Sequence, residues 1–266
     1  MTYIDSIVLG LVQGMTEFLP ISSSGHLVIT SHLLGVGNAF TFDSLLNIGT
    51  LIALIAYYHQ RILEILKRVF IAKEWLFIAK LVAATVPAVI IGVIFDKQIT
   101  KMNDMIWVVI TMLIIIGLLM IVNGGPDKNA DDRPLEKSLN WFTALKVGIA
   151  QAISLIPGTS RSGITILMGL RSKLSSSKAA ELSFLMAIPI IAGASLKILL
   201  STEGMDFIKA YPGQFLVGNI MSLVSGMIAI SFFIKWLSSS GLKYFGWYRV
   251  ALGLILIVLV MTGVIK

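Results

Sequence analysis

Six apolar stretches in this chain, near 42–58, 75–95, 105–122, 182–200, 214–237 and 247–265, approach or exceed the length that crosses a bilayer, which is about 20 helical residues. Two further apolar regions are too short and too broken to span once. Residues 4–19 and 26–36 flank a turn at 20–25, and residues 141–156 and 164–170 flank another at 157–163. In hydrocarbon every backbone polar group needs an internal partner, so irregular backbone persists only where protein buries it or where it lines a wet cavity. The pattern predicts an all-α polytopic membrane protein with six transmembrane helices and two re-entrant helix-turn-helix hairpins. Composition agrees: 56% of residues are hydrophobic and 13% charged, against about 45–50% and roughly 25% in soluble domains.

Several function classes drop out at once. With no cysteine, disulfides, thiolate metal sites and cysteine nucleophiles are excluded. The net charge of +7 comes from basic residues in short loops between apolar runs, which reads as topology and lipid headgroup contact and not as a nucleic-acid surface. Met1 to Ser6 carries no Lys or Arg, so a cleavable signal peptide is not expected there. Trp75, Trp107, Trp141, Trp236 and Trp247 all fall near the ends of apolar segments, as an interfacial aromatic belt requires. Lys80 and Lys197 lie near segment ends and read as snorkelling residues.

The two hairpins resemble each other at a shift of 138 residues: Gly10 matches Gly148, Gln13 matches Gln151, Ser22 matches Ser160, Ser24 matches Ser162 and Gly25 matches Gly163. Each hairpin precedes three spans, so the chain reads as one membrane domain with internal repeats at about 1–122 and 139–266 and a linker at 123–138. An odd number of crossings inverts the second copy, and inverted repeats place their site near the midplane, where broken helices meet. The linker contains Gly124-Gly125-Pro126, Asp127, Asp131 and Asp132 and reads as a solvated hinge. One set of loops holds 13 basic residues, including Arg61, Lys128 and Arg249, and the opposite set holds four (Lys97, Lys101, Lys209 and Lys266). The positive-inside rule makes the richer set cytoplasmic and places both termini outside. Segment 59–74 carries Ile62, Ile65, Leu66 and Val69 at helical spacing between basic residues, as in an amphipathic surface helix.

The breaks carry the chemistry. Ser22, Ser23, Ser24 and Gly25 precede one apolar run; Gly158, Thr159, Ser160, Ser162 and Gly163 precede the other, followed by Thr165. Serine caps a helix start, and a helix N-terminus offers unpaired N–H groups and a positive dipole end to an anion. Arg161, in the second break, can grip phosphate oxygens bidentately. Where the first break has Glu17, Ser23 and His26, the second has Leu155, Arg161 and Ile164. A passive anion pore gains nothing from a buried carboxylate; a hydrolase uses one as a base, a metal ligand, or both. Gln13 stands four residues before Glu17, on the same helix face. His26 can exchange a proton with a serine or a leaving phosphate oxygen, and Ser23 is the candidate nucleophile, with a water activated through Glu17 as the competing route. His32 and His59 lie outside the breaks and read as ordinary interfacial residues.

Gln13-Gly14-Met15-Thr16-Glu17-Phe18-Leu19-Pro20-Ile21-Ser22-Ser23-Ser24-Gly25-His26 resembles the first signature of the bacterial undecaprenyl-pyrophosphate phosphatases, the bacitracin-resistance family. Pro157-Gly158-Thr159-Ser160-Arg161-Ser162-Gly163-Ile164-Thr165 is similar to the second, and Glu181-Leu182-Ser183-Phe184-Leu185 follows as in that family. The resemblance covers the whole chain. It implies a multi-pass enzyme of the bacterial plasma membrane that removes one phosphate from undecaprenyl pyrophosphate and so recycles the lipid carrier for peptidoglycan synthesis. It also implies a divalent metal ion, Mg2+ or Ca2+, a site open to the outer face, and a homodimer. By position, Glu17, His26 and Arg161 match residues the family needs, and Ser23 matches its proposed nucleophile. The family often has Glu where this chain has Gln13, which concentrates acid–base work and metal binding on Glu17. The alternative is a transporter or flippase for an anionic solute or lipid, built on the same inverted repeats.

Overall fold

The computed structural model describes residues 1–36, 40–103, 105–125 and 130–264. Helices α1 (Tyr3–Phe18) and α2 (Ser23–Leu34) flank the first break; α3 (Phe40–Leu45) and α4 (Asn47–Tyr57) form the first span. After α5 (His59–Phe70) come α6 (Trp75–Ile94), α7 (Asp96–Asn103) and α8 (Ile106–Asn123), then the one-turn α9 (Leu135–Ser138). Helices α10 (Trp141–Ile153) and α11 (Arg161–Arg171) flank the second break, followed by α12 (Ser176–Leu200), α13 (Thr202–Ala210), α14 (Pro212–Ser240) and α15 (Lys243–Met261). The described residues form no strand beyond an isolated bridge between Asp131 and Leu174. Among the described residues six spans, at Phe40–Tyr57, Trp75–Ile94, Ile106–Asn123, Ser176–Leu200, Pro212–Ser240 and Lys243–Met261, are long and apolar enough to cross a membrane. The protein is an all-α polytopic membrane protein, with span boundaries within a few residues of expectation; the largest shift, six residues, is at the start of α12.

The chain divides into two compact units. One comprises Met1–Leu19, Ser23–His59 and Ala187–Phe233; the other comprises Pro20–Ser22, Gln60–Met186 and Ile234–Lys266.

In the first unit α1 starts with a capping box: Asp5 N donates to Thr2 Oγ1 at 3.2 Å, and Thr2 N donates to Asp5 Oδ2 at 2.6 Å. Helix α1 then runs against α14 with almost no side chain between the backbones. A Cβ on Gly10 would collide with the Gly218 carbonyl, and one on Gly14 with the Ser222 carbonyl. Helix contact in lipid relies on such small residues, because burial from water no longer drives it. The first span breaks at Leu46, between α3 and α4. The Ser222 hydroxyl donates to Leu46 O at 3.0 Å, and Gly49 N, an unladdered N–H of the α4 start, donates to Asn219 Oδ1 at 2.7 Å. Leu9, Leu27, Phe42 and Leu46 form the adjacent core.

In the second unit α6 and α10 run side by side in the same direction. Lys80 Nζ donates to Leu139 O at 2.6 Å at one end, a Cβ on Gly148 would sit 2.6 Å from Ala84 O midway, and one on Gly92 would meet Leu155 Cδ1 at 3.6 Å at the other. Helices α8 and α15 meet at a reciprocal glycine contact. A Cβ on Gly117 would lie 2.9 Å from Gly246 O, and one on Gly246 would lie 2.7 Å from Gly117 O.

Four expectations change here. Lys80 does not snorkel: it is 9% exposed and satisfies the Leu139 carbonyl ahead of α10, because a close backbone acceptor offers more than a long reach to the interface. Arg249 is not a loop charge but a fully buried residue of α15. The amphipathic helix expected in 59–74 is present as α5, ending at Phe70, with Ile65 and Val69 buried and Leu66 exposed; what changes is the role of a basic residue on it. Its Arg61 is bound by Glu64, Glu136 and Glu181 at 2.6–2.7 Å instead of facing headgroups. The linker is pinned as well as solvated. Asp131 N donates to Lys173 O at 2.7 Å, Ser175 N donates to Asp131 O at 3.1 Å, and the Ser175 hydroxyl donates to Asp132 Oδ1 at 2.7 Å. Pro126, Asp127, Lys128 and Lys266 lie outside the described residues.

Candidate active site

Four side chains in the first unit form a hydrogen-bonded chain. Ser23 Oγ, at the start of α2, donates to Glu17 Oε2 at 2.8 Å. Gln13 Nε2, one turn before Glu17 on α1, donates to the same oxygen at 3.3 Å and to Asn47 Oδ1 at 2.9 Å. Gln13 is 2% exposed, and its Oε1 is buried without a hydrogen-bond partner. Asn47 reaches Gln13 because the first span breaks just before it; it was not singled out in the sequence, where it reads as one polar residue at the head of an apolar run. His26 is half-buried on α2, three residues after Ser23 and so on a neighbouring face. The sequence suggested a serine–histidine pair. The bond observed on Ser23 is to the Glu17 carboxylate, which the hairpin folds back onto the α2 start.

The second unit supplies the arginine. Ser160 caps α11, its Oγ accepting from Gly163 N at 3.3 Å and standing 3.3 Å from Ser162 Oγ. Arg161, the first residue of α11, donates from Nη1 to Ser183 O at 3.4 Å. The Thr165 hydroxyl donates to Arg161 O at 2.7 Å and lies 2.7 Å from the Ser183 hydroxyl. Ser183, completely buried, thus steadies Arg161 from α12, a role the motif spacing does not advertise. Thr159 is also completely buried, with Oγ1 lacking a hydrogen-bond partner.

Backbone conformation singles out the same turns. Among the described residues the non-glycine positions with positive φ are Ser22 (75°), Lys73, Ser160 (67°) and Lys173. Ser22 and Ser160 are equivalent under the 138-residue shift, and each immediately precedes the helix of its break. A side chain in this region costs roughly 1–2 kcal/mol. Strain of this kind persists where surrounding structure imposes it, and it clusters at functional sites. Gly158 shares the habit at φ 88°, and a Cβ there would lie 2.5 Å from Val109 O, so glycine is required both for conformation and for space.

Arg249 is the residue the sequence reading missed. Its Nη2 donates to Gly158 O at 2.7 Å, Thr159 O at 3.0 Å and Met112 O at 3.3 Å, and its Nη1 donates to Pro20 O at 3.3 Å. One guanidinium therefore binds carbonyls from both breaks, since Pro20–Ser22 belongs to the same unit as the second break. No described carboxylate lies within ion-pairing distance of it. The cost of desolvating this charge is several kcal/mol; only carbonyl dipoles offset it here. The available signal was an ionisable residue inside an apolar span, concealed because a basic residue near a span end satisfies the positive-inside count equally well.

The donors suit a hard divalent cation. Glu17 offers a carboxylate and Gln13 a buried, unpartnered amide oxygen, and oxygen ligands of this type serve Mg2+ or Ca2+. Among the described residues no group of three or more His, Asp or Glu side chains is placed to hold a metal ion. Such an ion would therefore take most of its ligands from phosphate oxygens and water, as Mg2+ commonly does.

A family model described as Bacitracin resistance protein BacA matches residues 6–255. A protein of Flavobacterium psychrophilum named undecaprenyl-diphosphatase is 33% identical over 97% of this chain and 96% of its own length. Proteins of the same name from Bdellovibrio bacteriovorus and Idiomarina loihiensis are 36% and 37% identical, covering 99% and 97% of this chain and 98% and 99% of their own.

Proposed function

The chain belongs to the bacitracin resistance protein BacA family, and from that premise we propose that it is a membrane undecaprenyl-diphosphatase, releasing phosphate from undecaprenyl pyrophosphate and returning the lipid carrier to cell-wall synthesis. The observation that carries the reading is the Ser23–Glu17 hydrogen bond of 2.8 Å, an acid–base pair with no use in a passive anion path. The transporter alternative finds no support in the family or in the names of the relatives.

We read the site as follows. The N-termini of α2 and α11, with Ser22, Ser24, Gly25, Gly158, Thr159, Ser160, Ser162, Gly163 and Thr165 around them, bind the pyrophosphate through N–H groups, hydroxyls and helix dipoles. Arg161 grips the terminal phosphate. Arg249 holds the two turns through their carbonyls and adds an uncompensated positive charge that favours the anion. Glu17 takes the Ser23 proton as the Ser23 oxygen bonds to the terminal phosphorus and the bridging anhydride bond breaks. His26 returns a proton to the polyprenyl phosphate that leaves or, in the next step, activates the water that cleaves phosphoserine. Glu17 and Gln13 Oε1 would hold a divalent ion, which would supply charge neutralisation at the phosphate oxygens.

The repeat assignment, 1–122 and 139–266, enters the same proposal. It is supported by the positive φ at the equivalent Ser22 and Ser160 and by the equivalent glycines Gly10 and Gly148, which press α1 onto α14 and α10 onto α6. So do the plasma-membrane location, termini outside, a site open to the outer face, re-entrant hairpins and a homodimer. Cysteine labelling from each side of vesicles and molar mass in detergent test these.

The deciding experiment is phosphate release from a polyprenyl pyrophosphate by the purified chain, by Glu17→Gln and by Arg161→Ala, each with and without a chelator. Release by the wild type that falls at least a hundredfold in both variants is expected. Undiminished release in both variants would sink the site assignment. Absence of release from the wild type with any divalent ion would sink the activity.

A further inference from the structure

In the second unit an apolar cavity of about 670 Å³ runs between the C-terminal half of α6 and α10, under α7. Its walls include Val86 and Ile90 of α6, Ile149 and Ile153 of α10, and Leu155 and Ile156, which lead into the second break. Gln98, Ile99 and Met102 of α7 also line the cavity, while Lys97 and Lys101 on the same helix stand exposed. Among the lining residues only Gln98 carries a polar side chain.

We propose that this cavity receives the proximal part of the substrate's polyprenyl tail. The inference rests on the phosphatase reading and adds where the tail lies. Continuity carries it: Ile156 is a wall residue, and Ser160, which caps the α11 anion site, is four residues further on, at most about 14 Å even if extended. A pyrophosphate held at Ser160 and Arg161 thus lies within a few residues of an open apolar groove. The volume lies in the range that encloses a small-molecule body, roughly 300–1,000 Å³, so it takes the first few isoprene units and leaves the rest to the bilayer. Selectivity for tail length should therefore rise over short tails and then level off.

The test is kcat/KM for phosphate release from dimethylallyl, geranyl, farnesyl, geranylgeranyl and undecaprenyl pyrophosphates, using the full chain in nanodiscs. The variants are Ile149→Trp and Val86→Trp, at positions 50% and 41% exposed, where a larger ring fills the groove without entering a packed core. The wild type should gain with tail length and then plateau. Both variants should lose at least about tenfold, some 1.4 kcal/mol, on farnesyl and longer substrates, and keep the wild-type value on dimethylallyl pyrophosphate. An equal factor at every length, in variants that melt with the wild type, overturns the proposal. Photocrosslinking of the unmodified chain decides the matter if the variants do not fold. Farnesyl pyrophosphate bearing benzophenone at its tail end should label α6, α7 or α10, and undecaprenyl pyrophosphate should compete. Labelling elsewhere, or equal labelling by a phosphatidylglycerol bearing benzophenone on its acyl chain, overturns it. Hydrolysis of the shortest substrate reports the reaction alone: its presence without a tail effect counts against the groove, and no hydrolysis at any length counts against the phosphatase reading.

Discussion

Arg249 Nη2 donates to the carbonyl oxygen of Gly158 at 2.7 Å, and the same nitrogen reaches Thr159 O at 3.0 Å. The two acceptors belong to the turn that presents Ser160 and Arg161. A buried cation here orders the backbone of the turn that we propose binds the pyrophosphate. Arg249→Met removes four donations to backbone carbonyls, and a buried carbonyl left unsatisfied costs roughly 1–3 kcal/mol. It should lower the melting temperature in detergent and cut kcat/KM at least about a hundredfold. Arg249→Lys keeps the charge but not the planar fork. It should recover part of the stability and little of the turnover, since one ammonium cannot serve both breaks.

Ser23 and Glu17 share one hydrogen bond, so their substitutions should not add. Ser23→Ala and Glu17→Gln should each lower kcat by about a thousandfold or more, and the double variant should be no slower than the slower single one. Phosphate transferred to Ser23 should be trapped in the wild type by rapid acid quench on short timescales. Independent, multiplicative losses would dissolve the pair.

Ser22 and Ser160 carry positive φ, a conformation glycine adopts without the side-chain penalty. Ser160→Gly gives up the Gly163 N–H bond, and glycine at an N-cap costs only a few tenths of a kcal/mol. Relief of strain should outweigh this, and the variant should be more stable by about 1 kcal/mol. Substrate affinity should fall, because the hydroxyl is lost. A rise in melting temperature together with a rise in KM is the expected signature.

Glycine contacts give a direct contrast. Gly148→Leu drives a side chain into Ala84 O, whereas nothing lies within 4 Å of a Cβ on Gly193, in α12. Gly148→Leu should destabilise the chain severely and abolish turnover. Gly193→Ala should be neutral or stabilising by up to about 1 kcal/mol through helix propensity. Both are read by thermal melting in detergent.

Arg61 supplies a pH test outside the membrane spans. Burial alone would lower its pKa, but the Glu181 charge and the hydrogen bonds with Glu64, Glu136 and Glu181 outweigh burial and raise it. The hydrogen bond from Arg61 in turn holds the Glu64 carboxyl below its ordinary 4.5. A depressed carboxylate contributes stability above its unfolded pKa and loses it as pH falls through the folded value. Arg61→Gln should cost roughly 1–3 kcal/mol near neutral pH, because Glu136 and Glu181, with side chains 10% and 12% exposed, lose their shared cation while keeping Arg68 at 3.9 Å and Lys178 at 3.2 Å. The gap between the two melting temperatures should narrow as pH drops below 4.5.

Much of this architecture is local and therefore readable along the chain. Hydropathy over a window places the spans, and the Gly, Pro and Ser clusters place the breaks, because a helix in lipid has no partners beyond itself and its interruptions must be written in residues that tolerate them. The serines before α2 and α11, with Glu17, His26 and Arg161, are legible on the same ground. Partners distant in sequence are not. That Lys80 ends on Leu139 O, that Asn47 extends the Gln13–Glu17–Ser23 chain, and that Glu17 rather than His26 bonds Ser23 all depend on which turns packing brings within 3 Å. Arg249 is the sharpest case. A basic residue near the end of a span has one meaning for topology and another for catalysis, and sequence alone cannot separate them. The tertiary structure decides, because α15 meets α8 through Gly117 and Gly246 with backbones nearly touching, which closes the route to the interface and leaves the guanidinium only the carbonyls of Met112, Pro20, Gly158 and Thr159 to satisfy it.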